Sequence, residues 1–225
     1  MQKELKYAQQ NMTENVIRKF WKEMTRMFPA ICVNDGMDIT FKKHSENISD
    51  LSHQQIASIV AKLLRCQGVN VAAPLFQYEY DPSNSVPHHV SAITLTKLRS
   101  QYILSFFDPK GRGALRKQQI LYIMSTVASE ITRQTGIITK LLIYNGKNLQ
   151  SNDDIGLCQL FSLFYLFEYV TEITTLNIKN STPKVLRVLC TPNDMVKYID
   201  TKRKGFDSKI LYAFWNAFFK TGRQL

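Results

Sequence analysis

The pattern of this 225-residue chain predicts an α+β fold, a central mixed or antiparallel sheet packed by helices. Three observations carry that expectation. Apolar residues before position 70 recur at helical spacing; from Ala73 the period shortens to that of strands; and the run from Cys158 to Ile173 is apolar on every side, as a buried central helix would be.

Taken in order, Val16, Ile17, Phe20, Met24, Met27 and Phe28 trace one face of a helix from Thr13, a candidate N-cap, to Phe28, with Pro29 beyond its end. Ile56, Ile59, Val60, Leu63 and Leu64 repeat the pattern over Ser52 to Gln67, and Gly68 stops it. The segment between, Cys32 to Asp50, reads as irregular. "PLFQYEY" predicts a strand, Asp81 to Pro87 a turn-rich connection, and "HHVSAITLTKL" with "QYILSFFD" a hairpin turning near Arg99 and Ser100. "DPKGRG" breaks the sheet. Leu115 to Gln134 is helical in period, and "GIITKLLIYN" is a strand of β-branched residues. "PKVLRVLC" is a further candidate strand, and helices are expected over Asn193 to Arg203 and Asp207 to Lys220. The expected organisation is one domain, 1–225, with a helical extension over 1–72 and a core over 73–225 that ends in basic helices.

Composition narrows the functional classes. With 44% hydrophobic and 11% aromatic residues, nine Gly and seven Pro, the chain has enough apolar surface to fold. The amino terminus lacks the apolar stretch of a signal peptide and no run is long enough to span a bilayer, so an intracellular or virion protein without a membrane partner is expected. Cys32, Cys66, Cys158 and Cys190 are dispersed with no CxxC pair, which predicts neither a zinc site nor a disulfide framework and leaves the thiols free. His44 and His53 lack partners at metal spacing, so no metal is expected. No Gly-rich phosphate loop is present, "GRG" at Gly111 to Gly113 being too short. The aromatic stripe Phe206, Tyr212, Phe214, Trp215, Phe218 and Phe219 reads as core or docking surface.

The net charge of +11 is concentrated. Six basic residues from Lys97 to Lys117 face only Asp108, and ten from Lys179 to Arg223 face Asp194, Asp200 and Asp207. Clustered cations favour a polyanion, nucleic acid above all, through counterion release; an inert basic surface is the plain alternative.

One stretch raises a question of chemistry. "LQSNDDIGLCQLF" brings Cys158 through a polar turn, with Gly156 for backbone freedom, onto the first turn of the apolar helix. Free cysteine is commonly a small buried hydrophobe. At a helix amino end, however, the dipole and unpaired N–H groups favour thiolate. A nucleophile needs a base and an orienting acid. His88 or His89, opening one strand, and Asp108, ending the next, would stand side by side in an antiparallel hairpin. Gln150 and the Cys158 amide would supply two donors to an oxyanion. The plainer readings are a turn-forming Asp108 before Pro109 and a solvated Gln150.

The order His, Asp, Gln, Cys, in strand, strand, loop and helix, resembles the adenovirus maturation protease and the related proteases that cleave SUMO-like modifiers. "FFDPKG" at Phe106 to Gly111 is similar to that family's aromatic-acid-Pro-x-Gly segment, and "QSNDDIGLCQLF" to its Gln-to-Cys loop. The likeness runs from about Val86 to Tyr169. Val90 and Gln159 stand where the family has Trp after the histidine and Gly after the cysteine. Alignment of "HVSAITL" on the family's strand favours His89 over His88.

The resemblance implies a viral or mobile-element cysteine endopeptidase with His89 as base, Asp108 as orienting acid, Gln150 as oxyanion donor and Cys158 as nucleophile. It implies capsid or core precursors as substrates, with small residues such as glycine before the cut, and residence in the virion and at the host-cell site of assembly, nucleus or cytoplasmic factory. Chemistry would need no cofactor. Nucleic acid, bound through 97–117 and 179–225, would be an activator, as would a peptide joined through Cys32, Cys66 or Cys190. A monomer is expected. Two alternatives stand beside this: an isopeptidase for SUMO- or ubiquitin-like modifiers, and a non-enzymatic nucleic-acid-binding protein on the same fold.

Overall fold

The computed structural model describes residues 14, 17–18, 21–22, 28, 31–34, 36–42, 53–66, 70–80, 87–110, 116–143 and 157–174. In chain order the elements are β1 (Ile31–Val33), β2 (Met37–Lys42), α1 (His53–Leu64), β3 (Asn70–Tyr80), β4 (His89–Lys97), β5 (Tyr102–Phe107), α2 (Lys117–Thr135), β6 (Thr139–Ile143) and α3 (Leu157–Thr174). Glu14, Ile17, Arg18, Trp21 and Lys22 are also helical.

Strand β3 organises the sheet because its 11 residues are long enough to pair with two short strands along one edge. β1 lies parallel to Asn70–Ala72 and β2 parallel to Leu75–Tyr80. Pro74, which has no N–H to give, falls in the gap between these partners. On the other edge β3 runs antiparallel to β4, β4 antiparallel to β5, and β5 parallel to β6. The sheet is therefore mixed, in the order β1-β3-β4-β5-β6 with β2 beside β3. The β4–β5 turn closes at Arg99 and Ser100 with Leu98 N–H donating to Gln101 O at 2.9 Å, as the hairpin signal predicts.

Two layers of helix bury the sheet. In α1, Ile56, Ile59, Val60 and Leu63 make one face, and in α2 Ile120, Ile123, Met124, Val127 and Ile131 make another. Both faces join a single core with Met37, Ile39 and Phe41 of β2 and the inward side of β3, β4 and β5. Helix α2 stops where Gly136 adopts φ 69°, its N–H returning to Thr132 O at 2.9 Å. Opposite them α3 crosses β4 and β3. Every residue from Phe161 to Val170 is buried, which a helix achieves only when it is covered on all sides. Tyr165 stacks on Phe107 with ring centroids 4.5 Å apart, and the Tyr169 hydroxyl bonds the Thr96 hydroxyl. Each such fully buried aromatic contributes roughly 1.5–3 kcal/mol through lost water contact. Among the described residues no helix is long and apolar enough to cross a membrane.

The amino-terminal helical residues are fastened to this frame. Trp21 is fully buried and its Nε1–H donates to Ala72 O at 3.1 Å. Arg18 bonds Glu14 at 2.6 Å and Asp38 at 2.5 Å and lies over the Phe76 ring, 4.3 Å from its centroid. That stacking needs Gly36: a Cβ there would stand 2.4 Å from Phe76 Cε2 and 2.8 Å from Arg18 Nη1.

Three expectations change. Cys32 to Asp50 is not wholly irregular, since most of β1 and all of β2 lie within it; Met37, Ile39 and Phe41 are buried and alternate with the outward Asp38 and Thr40. The boundary at 72 falls inside β3, and the preceding segment gives two strands as well as helices to the same sheet and core. Cys32 and Cys66 are joined as a disulfide, with Cα atoms 6.0 Å apart, tying β1 to the end of α1, so neither thiol is free to hold a peptide. Dispersed spacing concealed this pair because the helical crossover between parallel strands β1 and β3 brings together residues 34 apart. The strand expected at "PKVLRVLC" and the helices over Asn193 to Arg203 and Asp207 to Lys220 lie outside the described residues.

Candidate active site

At the end of the sheet where β4 begins and β5 finishes, antiparallel register pairs Ala92 with Phe107 and so brings His89 and Asp108 to the same corner. His89 Nε2 and Asp108 Oδ1 are 2.9 Å apart. Because a carboxylate only accepts, Nε2 carries the proton and donates it to Asp108. Asp108 Oδ1 also accepts the backbone N–H of Lys110 at 2.8 Å, so the turn after β5 fixes the carboxylate while the carboxylate fixes the ring. Both residues are buried, at 6% and 5% exposure. His88 is exposed, and the pairing with Asp108 belongs to His89.

Cys158 stands on the first turn of α3 and is the free cysteine among the described residues. It is 5% exposed, but its surroundings are polar. The backbone N–H groups of Val90 and Gln159 donate to its sulfur, and His89 is its side-chain partner. Nδ1 is the imidazole nitrogen left for that contact. It is buried and makes no well-aligned hydrogen bond within the described residues, so the ring and the sulfur meet in a loose pair of the kind that tightens when substrate binds.

The charges of this cluster support one another. Burial pushes the Cys158 thiol up, but the hydrogen bond and charge of His89 and the two backbone donors outweigh it and hold the thiol below its ordinary range. Burial likewise pushes His89 down, yet the Asp108 carboxylate, by charge and hydrogen bond, and then Cys158 lift it to about 9. Both shifts favour passage of the thiol proton to the ring, with Asp108 behind it, an arrangement suited to nucleophilic attack on a carbonyl followed by proton return to a leaving group.

Gln150 and the loop to Gly156 lie outside the described residues. Gln159, where the resembling family has glycine, is half-buried, and its Oε1 has no hydrogen-bond partner among the described residues. Two contributors escaped sequence reasoning. The Val90 amide acts through backbone that any residue type would supply. Ser162, fully buried, donates its Oγ–H to Val90 O at 3.0 Å; its place four residues after Cys158, on the same helix face, was the available signal. Among the described residues no three His, Cys, Asp or Glu side chains gather as metal ligands would.

No protein-family model and no curated protein matches this sequence. Solved structures do. The ASFV pS273R protease aligns with a TM-score of 0.51 at 12% identity, over 83% of this chain and 64% of that one. A selenomethionine crystal of the same protease aligns at 0.47 and 15% identity, over 83% and 65%. The Legionella pneumophila effector RavZ aligns at 0.45 and 11% identity, over 85% and 53%. At such identities the likeness is one of fold: this chain has the α+β fold of the ASFV protease, a mixed sheet packed by helices, and spans 64% of that protein's length.

Proposed function

We propose that this chain is a cysteine endopeptidase in which Cys158 is the nucleophile, His89 the general base and acid, and Asp108 the group that orients and charges the ring. The single observation that carries the proposal is His89 standing between the Asp108 carboxylate, 2.9 Å away, and the sulfur at the amino end of α3. The Cys158 thiolate attacks the scissile carbonyl and the carbon–nitrogen bond breaks as His89 delivers its proton to the amine. His89 then takes a proton from water, whose oxygen displaces the thiolate and frees the acid. Gln150 and the Cys158 amide are assigned to the oxyanion.

Capsid or core precursors, cut after small residues such as glycine during virion maturation, are the proposed substrates, in keeping with the motif resemblance and with the fold shared with a protease of ASFV. Nucleic acid, held by 97–117 and 179–225, is the proposed activator, supported by the concentration of positive charge in those segments. Action as a monomer, in the virion and at the site of assembly, completes the reading.

A panel of peptides with one or two glycines before the cut tests it. Hydrolysis by the wild-type chain, with less than about a thousandth of the rate in Cys158→Ala, is expected. Equal hydrolysis by the variant, or no hydrolysis of any member by the wild type with and without DNA, contradicts the assignment.

A further inference from the structure

The Val90 backbone is held on both sides of its Cα by α3. Its N–H donates to the Cys158 sulfur, and its C=O accepts from Ser162 Oγ at 3.0 Å. Val90 directly follows His89, so this one residue links the base-bearing strand to the nucleophile-bearing helix.

Ser162 is an unusual choice for that place. It is fully buried in "FSLFYLF", where an unpartnered hydroxyl would be costly. A helical serine ordinarily returns its hydroxyl to the carbonyl four residues back, here that of Cys158. Instead it reaches across to β4, between layers that otherwise meet through side chains such as Phe107 and Tyr165. The same two elements are joined again at their far end by the hydroxyls of Thr96 and Tyr169. The helix is thus docked on the strand by a polar contact at each end, and only the Ser162 contact adjoins the cluster at Cys158.

We infer that Ser162 is a positioning residue of the proposed active site: its bond to Val90 O sets the start of β4 against the first turn of α3 and so fixes where His89 and the Val90 N–H stand relative to the sulfur. This rests on the assignment of Cys158 and His89 as a working pair. With the bond intact the sulfur keeps its backbone donor and its imidazole. Without it, Val90 O is left buried and unpaired, the strand start relaxes, and both contacts to the sulfur loosen together. Placement to a few tenths of an ångström matters for such a pair.

The test is the pH profile of Cys158 alkylation by iodoacetamide on the full chain, followed by mass spectrometry of the Cys158 peptide between pH 5 and 10. In Ser162→Ala the apparent thiol midpoint rises by about one pH unit and alkylation at pH 6 falls about tenfold. Ser162→Thr, which keeps the donor, restores the wild-type profile. Thr96→Val, which removes the hydroxyl contact at the far end, lowers the melting temperature and leaves the profile in place. Should Ser162→Ala be too unstable to purify, Ser162→Cys keeps the volume and weakens the donor, and a partial shift is expected. A Ser162 profile superimposable on wild type, or a shift equally present in Thr96→Val, overturns the inference. His89→Ala separates the two levels: its loss of acid-side reactivity supports the underlying pair, and its retention overturns the pair and the inference with it.

Discussion

Asp108 holds His89 with the same oxygen that closes its own turn: Oδ1 accepts from His89 Nε2 at 2.9 Å and from the Lys110 backbone N–H at 2.8 Å. The turn-former and the orienting acid, which sequence reasoning set against each other, are one carboxylate performing both tasks. The turn restricts the carboxylate's rotation, so the ring is held by a group that is itself fixed.

Asp108→Asn separates these tasks. The amide oxygen can still accept from Lys110, so the fold survives, while the negative charge behind His89 is gone. Peptide hydrolysis should fall by about 10² to 10⁴ in kcat with the melting temperature little changed. Asp108→Ala removes both bonds and should in addition lose about 1–3 kcal/mol of stability in denaturant titration. An Asn variant with wild-type kcat would deny the carboxylate its role.

The coupled charges predict a particular pH behaviour. His89, raised to about 9, stabilises the fold fully below its unfolded value of about 6.5, and this contribution disappears as pH rises through about 9. Cys158, lowered, acts in the opposite sense: its contribution is present above the unfolded thiol value and is lost as pH falls through the folded one. Within the window from about 6.5 to 9 over which the His89 contribution is lost, ionisation of the lowered thiol acts against that loss. Cys158→Ala removes one side of the balance, so its melting temperature should decline with rising pH over that window more steeply than the wild type. A variant that declines no more steeply than the wild type would contradict the coupling of the two groups.

The Cys32–Cys66 bond closes a loop with a sequence separation of 34, for which loop entropy suggests a contribution of about 3–4 kcal/mol. Dithiothreitol should therefore lower the melting temperature by about 5–15 °C, and a Cys32→Ala, Cys66→Ala double variant should show no response. An equal response in both would place the sensitivity elsewhere.

Binding of DNA, if it uses the basic segments, should weaken linearly on a log scale with salt, and charge removal at Lys97 and Arg99 should reduce the slope by about one to two. Fluorescence anisotropy at several salt concentrations reads this directly. A slope unchanged by those substitutions would remove the hairpin from the binding surface.

Much of the frame was legible because its signals are local. β4 and β5 are runs rich in apolar, β-branched and aromatic residues joined by a short turn, α1 and α2 carry helical periodicity, and α3 is a long apolar run. β2 was missed although Met37, Ile39 and Phe41 alternate with Asp38 and Thr40, because six residues make a weak pattern and its parallel partner lies far along the chain. β1, three residues long, exists only through β3. In the site, the meeting of His89 and Asp108 followed from hairpin register. The choice between His88 and His89 did not follow from composition, because it depends on which of the doublet enters the strand buried. The Ser162 contact was hidden for another reason: a hydroxyl in an apolar helix says nothing of which carbonyl across the layer it will meet.

The most direct measurement is the site labelled by an electrophilic peptide ending in glycine, mapped by mass spectrometry on the wild-type chain and on His89→Ala. Covalent modification confined to Cys158, and slowed at least about a hundredfold by loss of His89, is the predicted result. Modification at Cys190 instead, or labelling of Cys158 at the same rate without the imidazole, would contradict it.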